Sequence, residues 1–185
     1  MKSVRNFAML IIASFLLNVT NAQEKTVEVG GAAMYPSKNI VENAANSKDH
    51  TTLVAAVKAA GLVETLQSIG PFTVFAPTNA AFDMLPKGPV ETLLKPENKA
   101  MLTGVLTYHV VAGRIDAKEL SRLIKEGNGK AELNTVAGGK LLASMKGGKV
   151  ILMDEKGGIA TVTIKNVYQS NGVIHVIDHV VLPRS

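Results

Sequence analysis

The side chains best suited to chemistry are the histidines and acids in the last third of the chain. His175 and His179 are four residues apart, the spacing at which two rings on a helix can bind one metal ion. Their neighbours are so apolar that a β-strand is predicted instead, and four residues of a strand span about 13 Å. Because two rings so far apart cannot reach one ion, we predict no metal site here. His175 is expected to be a hydrogen-bonded core residue, with Asp178 and His179 partly exposed.

Other residue sets that support catalysis are missing from the sequence. It has no cysteine, which excludes thiol catalysis and thiolate metal sites. It also has no Gly-x-Ser-x-Gly elbow and no His-Glu-x-x-His zinc motif, and its glycine pairs lack the Lys-Ser/Thr of a phosphate-binding loop. Asp154 and Glu155 precede a Gly-Gly turn and are predicted to form a solvated hairpin tip, with a weak calcium contact as the alternative. We therefore predict a protein that is not an enzyme, with no catalytic residue and no cofactor.

Tyr108 and His109 are the strongest candidates for contact with a partner. They open a predicted strand that runs to Ile115, in which neighbouring side chains point to opposite faces. One ring is then buried while the other reaches outward. Two interpretations remain open: the pair binds a partner, or one ring pins the strand to an adjacent loop through its polar tip.

Helical patterns dominate the first half of the chain. Apolar side chains recur at helical spacing through residues 53–60. A short strand is predicted for residues 72–76. Thr78 or Asn79 then caps a helix on which Phe82 packs back toward the core. These three residues are expected to have a structural role.

Strands and tight turns dominate the second half. Three glycine pairs between residues 138 and 158 predict hairpin turns between short antiparallel strands. Asn171 and Gly172 form a further turn, which opens a final strand predicted to reach Leu182. Helices followed by a meander of strands predict an α+β domain.

The first 22 residues have the pattern of a secretory signal peptide. Lys2 and Arg5 form a positive start, and an apolar run continues to Leu17. Small residues stand at Thr20 and Ala22, the positions that a signal peptidase reads. The run is too short to span a bilayer, which takes about 20 residues. We predict cleavage near Ala22 and a secreted or periplasmic product that inserts into no membrane.

The remaining sequence predicts one domain after a short linker. Residues 23–37 are polar and contain a Gly-Gly pair, so they are predicted to be a linker, with the domain at residues 38–185. The formal net charge of +5 falls to +3 without the two cations of the leader. Without a block of Lys and Arg or a pattern of aromatic residues, we predict no nucleic-acid partner. The absence of cysteine excludes disulfides and a lipid anchor, so the core must stabilise the domain.

Three segments together closely resemble the signatures of the fasciclin-like domain family. They are Thr73-Val-Phe-Ala-Pro-Thr-Asn-Ala-Ala-Phe82, Leu106-Thr-Tyr-His-Val-Val111 and Asn171-Gly-Val-Ile-His-Val-Ile-Asp-His-Val-Val-Leu-Pro183. The resemblance extends from about Lys38 to Pro183. It implies an α+β fold of two β-sheets in a wedge or sandwich with several helices packed around it. It also implies an extracellular or envelope role in adhesion and in matrix or surface binding, in a family not known for one reaction.

The same resemblance bears on two candidate contact sites. It assigns Tyr108 and His109 to cell-surface receptor binding in animal members. Some animal adhesive members also carry an Asp-Ile pair, used for integrin contact, shortly before the last signature's Asn-Gly. Asn166 and Val167 stand at the matching positions here, so an integrin contact through a carboxylate is not expected.

The sequence therefore supports three functional hypotheses. The first is a secreted or periplasmic adhesion module that binds a cell-surface protein, a matrix protein or a polysaccharide. The second is a small-molecule-binding or hydrolytic envelope protein with a pocket near His109. The third is a structural envelope protein that self-associates, and weak self-association is compatible with the first hypothesis as well.

Overall fold

The computed structural model describes residues 24–85, 92 and 94–184. The predicted signal peptide, residues 1–22 with cleavage near Ala22, lies outside the described residues. Within the described part of the chain, no helix is long and apolar enough to cross a membrane.

Six α-helices are described, and the first half of the chain contains most of them. They are α1 (Ile40–Ala44), α2 (Thr51–Ala60), α3 (Val63–Gln67), α4 (Asn79–Asp83), α5 (Lys99–Tyr108) and α6 (Ala117–Glu126). Two short 3-10 helices, Lys48–His50 and Pro96–Asn98, precede α2 and α5. The apolar stripe predicted for residues 53–60 is the buried face of α2, and Gly61 ends this helix in the left-handed conformation with φ 74°.

Nine strands complete the fold. They are β1 (Val27–Val29), β2 (Ala32–Met34), β3 (Phe72–Pro77), β4 (Val110–Ala112), β5 (Lys130–Asn134), β6 (Lys140–Lys146), β7 (Lys149–Met153), β8 (Ile159–Gln169) and β9 (Gly172–Ile177). The glycine pairs predicted as turns lie between β5 and β6, between β6 and β7, and between β7 and β8. Both glycines of the β6–β7 turn have positive φ, as a tight hairpin requires.

Strands β3 to β9 form one mixed sheet in the order β4-β3-β9-β8-β7-β6-β5. Strands β3 and β9 are parallel, and all other pairs are antiparallel. The long strand β8 connects the two halves of the sheet, because its first residues pair with β7 and the rest pair with β9. A bridge between Val111 and Thr135 brings the outer strands together, so the sheet nearly closes. The predicted α+β class is confirmed.

Two clusters of buried side chains lie on opposite faces of this sheet. In β3, Val74 belongs to the cluster that packs against α1, α2 and α5, whereas its neighbour Phe75 belongs to the cluster inside the curved sheet. Helix α6 contributes Leu120 and Ile124 to the inner cluster. Because both faces of β3 and β9 are buried, both strands are mostly apolar along their whole length, apart from the buried Thr73 and His175.

The linker predicted for residues 23–37 is wrong for residues 27–34. This segment forms the β1–β2 hairpin, whose Gly30 and Gly31 have φ values of 59° and 75°. Val29 and Met34 are buried in the outer cluster. Two three-residue strands are too short for alternation to be recognised, and the Gly-Gly pair therefore resembled a flexible segment.

The final strand predicted to reach Leu182 ends at Ile177. The next residue, Asp178, accepts a hydrogen bond from the backbone N–H of Thr161 through its carboxylate, at 2.6 Å. A side chain thus takes the place of the next backbone partner, and the chain leaves the sheet. Residues 178–184 are called the C-terminal segment below.

Candidate functional site

Tyr108 and His109 were predicted to begin a strand. They lie instead at the end of helix α5. Tyr108 is the last residue of the helix and His109 is its C-cap, and the following strand is only three residues long. Both rings are buried, with 0% and 2% of the residue exposed. The expectation that one ring reaches outward came from strand geometry and is wrong, because helix geometry turns both rings inward.

The phenol of Tyr108 ties α5 to two turns of the sheet. Its hydroxyl donates to the carbonyl of Lys140 at 2.6 Å and accepts from the backbone N–H of Glu155 at 3.2 Å. Gly139 allows the β5–β6 turn to lie against the ring, since a Cβ there would be 2.7 Å from Tyr108 Cε2. Burial raises the pKa of Tyr108 to about 12, which keeps the hydroxyl protonated as a donor.

The ring of His109 is fixed at both nitrogens. Nε2 accepts from the backbone N–H of Val181 at 3.2 Å. Nδ1, 2.8 Å from the carbonyl of Val105, must therefore be the protonated nitrogen that donates. Burial lowers the pKa of His109 to about 4, so the ring is neutral near pH 7. With both nitrogens bonded inside the fold, this ring has no free atom for proton transfer.

Asp154 and Glu155 were predicted to form a solvated tip, and for Asp154 this is wrong. Asp154 is 6% exposed, and its Oδ1 accepts from the backbone N–H groups of Lys156 and Gly158. Its Oδ2 accepts from the N–H of Leu182 at 2.9 Å. The side chain therefore shapes the β7–β8 turn from within and also holds the C-terminal segment.

Three side chains from distant parts of the chain hold the C-terminal segment by its backbone. His109 and Asp154 bind the N–H groups of Val181 and Leu182, and Glu155 Oε2 accepts from that of Arg184 at 3.2 Å. We call His109, Asp154 and Glu155 the clasp. The clasp replaces the β-ladder that ends at Ile177, and all of its polar contacts are internal to the protein.

Acidification is expected to destabilise the fold between pH 6.5 and about 4. Burial lowers the pKa of His50, His109 and His175 from 6.5, that of His109 to about 4. The unfolded chain then binds more protons in this window, so the stability due to neutral rings is present above pH 6.5 and lost as the pH falls. For His109 alone the loss is about 3 kcal/mol. Urea unfolding midpoints from pH 7 to pH 4 check this, and a flat profile would contradict the burial of these rings.

The residues of the first signature connect strand β3 to helix α2. Thr78 is the N-cap of α4, and its hydroxyl accepts from the N–H of Ala81 at 3.2 Å. The amide of Asn79 accepts from the N–H of Thr52 and donates to the carbonyl of Lys48. Phe82 is buried in the outer cluster. All three contacts lie within the fold, in agreement with a structural role.

Asn171 and Gly172 connect elements that are far apart in sequence. Asn171 Oδ1 accepts from the N–H of Ile40 at 3.1 Å, and Nδ2 donates to the carbonyls of Leu66 and Ser68. A Cβ on Gly172 would overlap the carbonyl oxygen of Phe72 in the neighbouring parallel strand. The pair was predicted as a turn, and it also docks α1 and α3 on the start of β9.

His175 is a hydrogen-bonded core histidine, as expected. Its ring is fully buried, stacks on Phe75 and lies 2.9 Å through Nε2 from the carbonyl of Ile115. Nδ1 receives the N–H of Asn166, which has a positive φ of 60° at an irregularity of β8. Asn166 in turn accepts from the N–H of Ala117 at the start of α6. The residue at the integrin-type position therefore anchors a helix.

The other two candidate groups, Asp178 and His179, contact each other, with Asp178 Oδ1 2.8 Å from His179 Nδ1. Their side chains are 36% and 50% exposed, in agreement with the predicted partial exposure. Among the described residues, no group of three His, Asp or Glu side chains has the geometry to hold a metal ion. A cavity of about 70 Å³ lies between helices α1, α2, α3 and α5 and the sheet, lined almost wholly by apolar side chains and touched by His109.

The clasp was missed by sequence reasoning, although one of its signals is present. Asp154 lies two residues before Lys156 and four before Gly158, the spacing of an acid that binds backbone N–H groups of its own turn. Its second contact, with Leu182, joins residues 28 positions apart. No local pattern indicates that contact.

Comparison with known proteins gives consistent matches over most of the chain. Residues 48–183 match the family model described as Fasciclin domain. The Synechocystis protein sll1483 is 51% identical over 160 residues, which are 86% of this chain and 82% of that protein. The immunogenic protein MPB70 of Mycobacterium bovis is 35% identical over 145 residues, 76% of this chain and 66% of MPB70.

Solved structures share this fold, and one of them illustrates the match. It is a FAS1 domain pair from the insect cell adhesion molecule fasciclin I, which superposes with a TM-score of 0.71. The match covers 86% of this chain and 58% of the insect chain at 16% sequence identity. The fold expected from the sequence signatures is thereby confirmed.

Proposed function

This chain belongs to the fasciclin domain family, and we propose that it is an exported binding module that contacts a cell-surface protein, a matrix protein or a polysaccharide. The observation that carries the proposal is the family match over residues 48–183. The neighbour from an insect cell adhesion molecule supports the same class of function. The described site agrees with it, because Tyr108, His109 and Asp154 direct their polar atoms to partners inside the fold.

Tyr108 and His109 would serve this function as positioning residues. Neither ring is exposed, so neither can touch a partner in this conformation. They fix the C-terminal segment and the turns at Lys140 and Glu155, and these last two residues are exposed. Their predicted link to partner binding would then act through the surface that they hold in place.

Binding to surfaces is the direct test of the proposed function. Purified protein is titrated onto intact cells, isolated envelopes, immobilised matrix proteins and immobilised polysaccharides. We expect saturable binding to at least one of these surfaces and none to the uncoated support. Absence of binding to all of them would overturn the proposal.

Export is tested separately from binding. We propose that residues 1–22 are a signal peptide and that the product is periplasmic or secreted. Fractionation of the producing cells, followed by mass measurement, should find a chain that begins at Gln23. A chain that retains Met1 in the cytosol would contradict this proposal.

The apolar cavity favours a second candidate function, the binding of a small apolar molecule. Its volume of about 70 Å³ suits a short alkyl group rather than a polar substrate. Hydrolysis is less favoured, because both nitrogens of His109 are bonded within the fold. Saturable NMR shifts of the methyl groups that line the cavity, on titration with short-chain alcohols, would support this function, whereas unchanged methyl signals would contradict it.

The third hypothesis, self-association, is tested by the dependence of the molecular mass on protein concentration. A mass measured across a wide range of protein concentration should remain that of a monomer if binding to other molecules is the main function. A mass that rises with concentration would favour the structural envelope protein instead.

A further inference from the structure

The outer face of strands β5 to β8 has a composition that the fold does not explain. Buried residues alternate with more exposed ones along β6 and β7 up to the β6–β7 turn, and Leu141, Ala143, Val150 and Leu152 are buried inside the curved sheet. Every second residue therefore points outward. Helix α6 packs on the buried side with its apolar residues, not on the outward one.

The strand register places the outward residues in rows across the sheet. One row is Glu132, Leu142, Met153 and Ile159; the next is Lys130, Ser144, Ile151 and Thr161; the last is Lys146 and Lys149. We call these residues the outer face. Its apolar part consists of Leu142, Met153 and Ile159 from the first row and Ile151 from the second, and its end at the β6–β7 turn is basic.

The apolar part of the outer face is accessible to solvent. Ile159 is 57% exposed, and Leu142, Ile151 and Met153 are partly exposed. A strand that faces water normally alternates apolar and polar residues. Four adjacent apolar side chains on the wet side of a sheet are typical of a contact surface.

The basic part of the outer face lacks compensating charge. Lys146 and Lys149 are direct cross-strand partners, and like charges in this position are destabilising. Lys130 lies on the neighbouring strand β5, in the row next to that of Lys146 and Lys149. Lys140 forms an ion pair with Glu132 at 2.7 Å, but Lys130, Lys146 and Lys149 form none with any described residue. An anion bound between these lysines would remove the repulsion.

We propose that the outer face binds an anionic polysaccharide. Its carboxylate or sulfate groups would pair with Lys130, Lys146 and Lys149, while apolar faces of its sugar rings would lie on Met153 and Ile159. This inference rests on the proposed binding function and names the class of partner. It places the contact away from the clasp.

The arrangement of the lysines favours a linear polymer. The three side chains start from three adjacent strands that lie about 4.8 Å apart. Lysine carries a compact charge on a flexible stem, so the three ammonium groups can follow a chain with varied spacing between anions. A bilayer is less favoured, because Ile159 alone among these four apolar side chains is mostly exposed, and the other three are only partly exposed.

The test compares charged with neutral polymers. Dextran sulfate, alginate and neutral dextran are titrated into the purified protein at increasing NaCl concentration. We expect binding of the two anionic polymers that weakens steadily with salt, and no binding of neutral dextran. In the triple variant Lys130→Gln, Lys146→Gln and Lys149→Gln, affinity should fall about 10-fold or more, since each exposed ion pair contributes a factor of about 2 to 5.

A matched control has the same net charge. The triple variant Lys48→Gln, Lys118→Gln and Lys125→Gln also removes three exposed cations, but none from the outer face. It should bind dextran sulfate within about 2-fold of the wild type. An equal loss in both triple variants would overturn the proposal, because it would show attraction by net charge alone.

The apolar part of the face is tested by Ile159→Thr. This change should weaken binding several-fold without altering the salt dependence, and the unfolding midpoint should stay constant because the side chain is exposed. Unchanged binding would contradict the apolar contact.

Two further outcomes separate this inference from the proposed function. If the protein binds cells but the first triple variant binds them equally well, the outer face is the wrong site and the proposed function stands. Stronger binding to phosphatidylglycerol vesicles than to either polymer, lost in that triple variant, would replace the polysaccharide by a membrane surface and overturn the proposal.

Discussion

Replacing His109 with alanine is expected to lower the free energy of unfolding by about 3 kcal/mol or more. The ring is buried, and its removal leaves a cavity beside the apolar core. It also leaves the carbonyl of Val105 and the N–H of Val181 without partners, and each buried polar group without a partner costs about 1–3 kcal/mol. Urea denaturation at pH 7 measures the change.

His179→Ala is the matched control for this prediction. The side chain of His179 is 50% exposed, and its hydrogen bond is to its neighbour Asp178, so its removal should leave stability nearly unchanged. The comparison also separates the two interpretations of the Tyr108–His109 pair. If His109 acts by positioning the C-terminal segment, the loss of partner binding in His109→Ala should accompany a loss of stability. Full stability with lost binding would contradict that role and restore direct contact.

The second large effect is expected for Asn171→Ala, with a loss of about 3 kcal/mol. Alanine would leave the N–H of Ile40 and the carbonyls of Leu66 and Ser68 without partners. These groups belong to α1 and to the end of α3. The substitution should therefore loosen these two helices locally and also lower the free energy of unfolding of the whole domain. Hydrogen exchange should show faster exchange of the amide of Ile40.

Asn134→Ala provides the control, since Asn134 is exposed on β5. It should change the unfolding free energy by less than about 0.5 kcal/mol. An Asn171→Ala protein as stable as this control, with unchanged exchange at Ile40, would show that the last signature does not dock the helices.

Features with local causes could be predicted from the sequence. The stripe of α2 and its stop at Gly61 follow from side-chain spacing and from one left-handed residue. The cap of α6 follows from an acid placed before the first turn, and Asp116 does accept from the N–H groups of Lys118 and Glu119. The glycine turns follow from the need for positive φ in tight hairpins. Each of these patterns lies within a few neighbouring residues.

Features with distant causes could not be predicted in the same way. Tyr108 and His109 are β-prone by type and precede two valines, and only packing against the sheet decides that they end a helix. Asp154 is polar and next to glycines, and only the return of the chain at Leu182 makes it buried. The prediction for the candidate contact site therefore differed most from the structure. The burial of His109 and Asp154 depends on hydrogen-bond partners 28 or more positions away in the sequence.

The clasp has a mechanical consequence for the way in which the chain responds to a pulling force. A force applied at Pro183 would first load the N–H groups of Val181 and Leu182, whose bonds to single side chains can break one after another. Strand β9 comes next, and it lies between β3 and β8 with ladders on both sides. Pulling along that strand must shear both ladders together. The molecule would thus yield by a few residues at low tension and then resist. If the protein binds a surface as proposed, this sequence of events would absorb a sudden pull before the fold is strained.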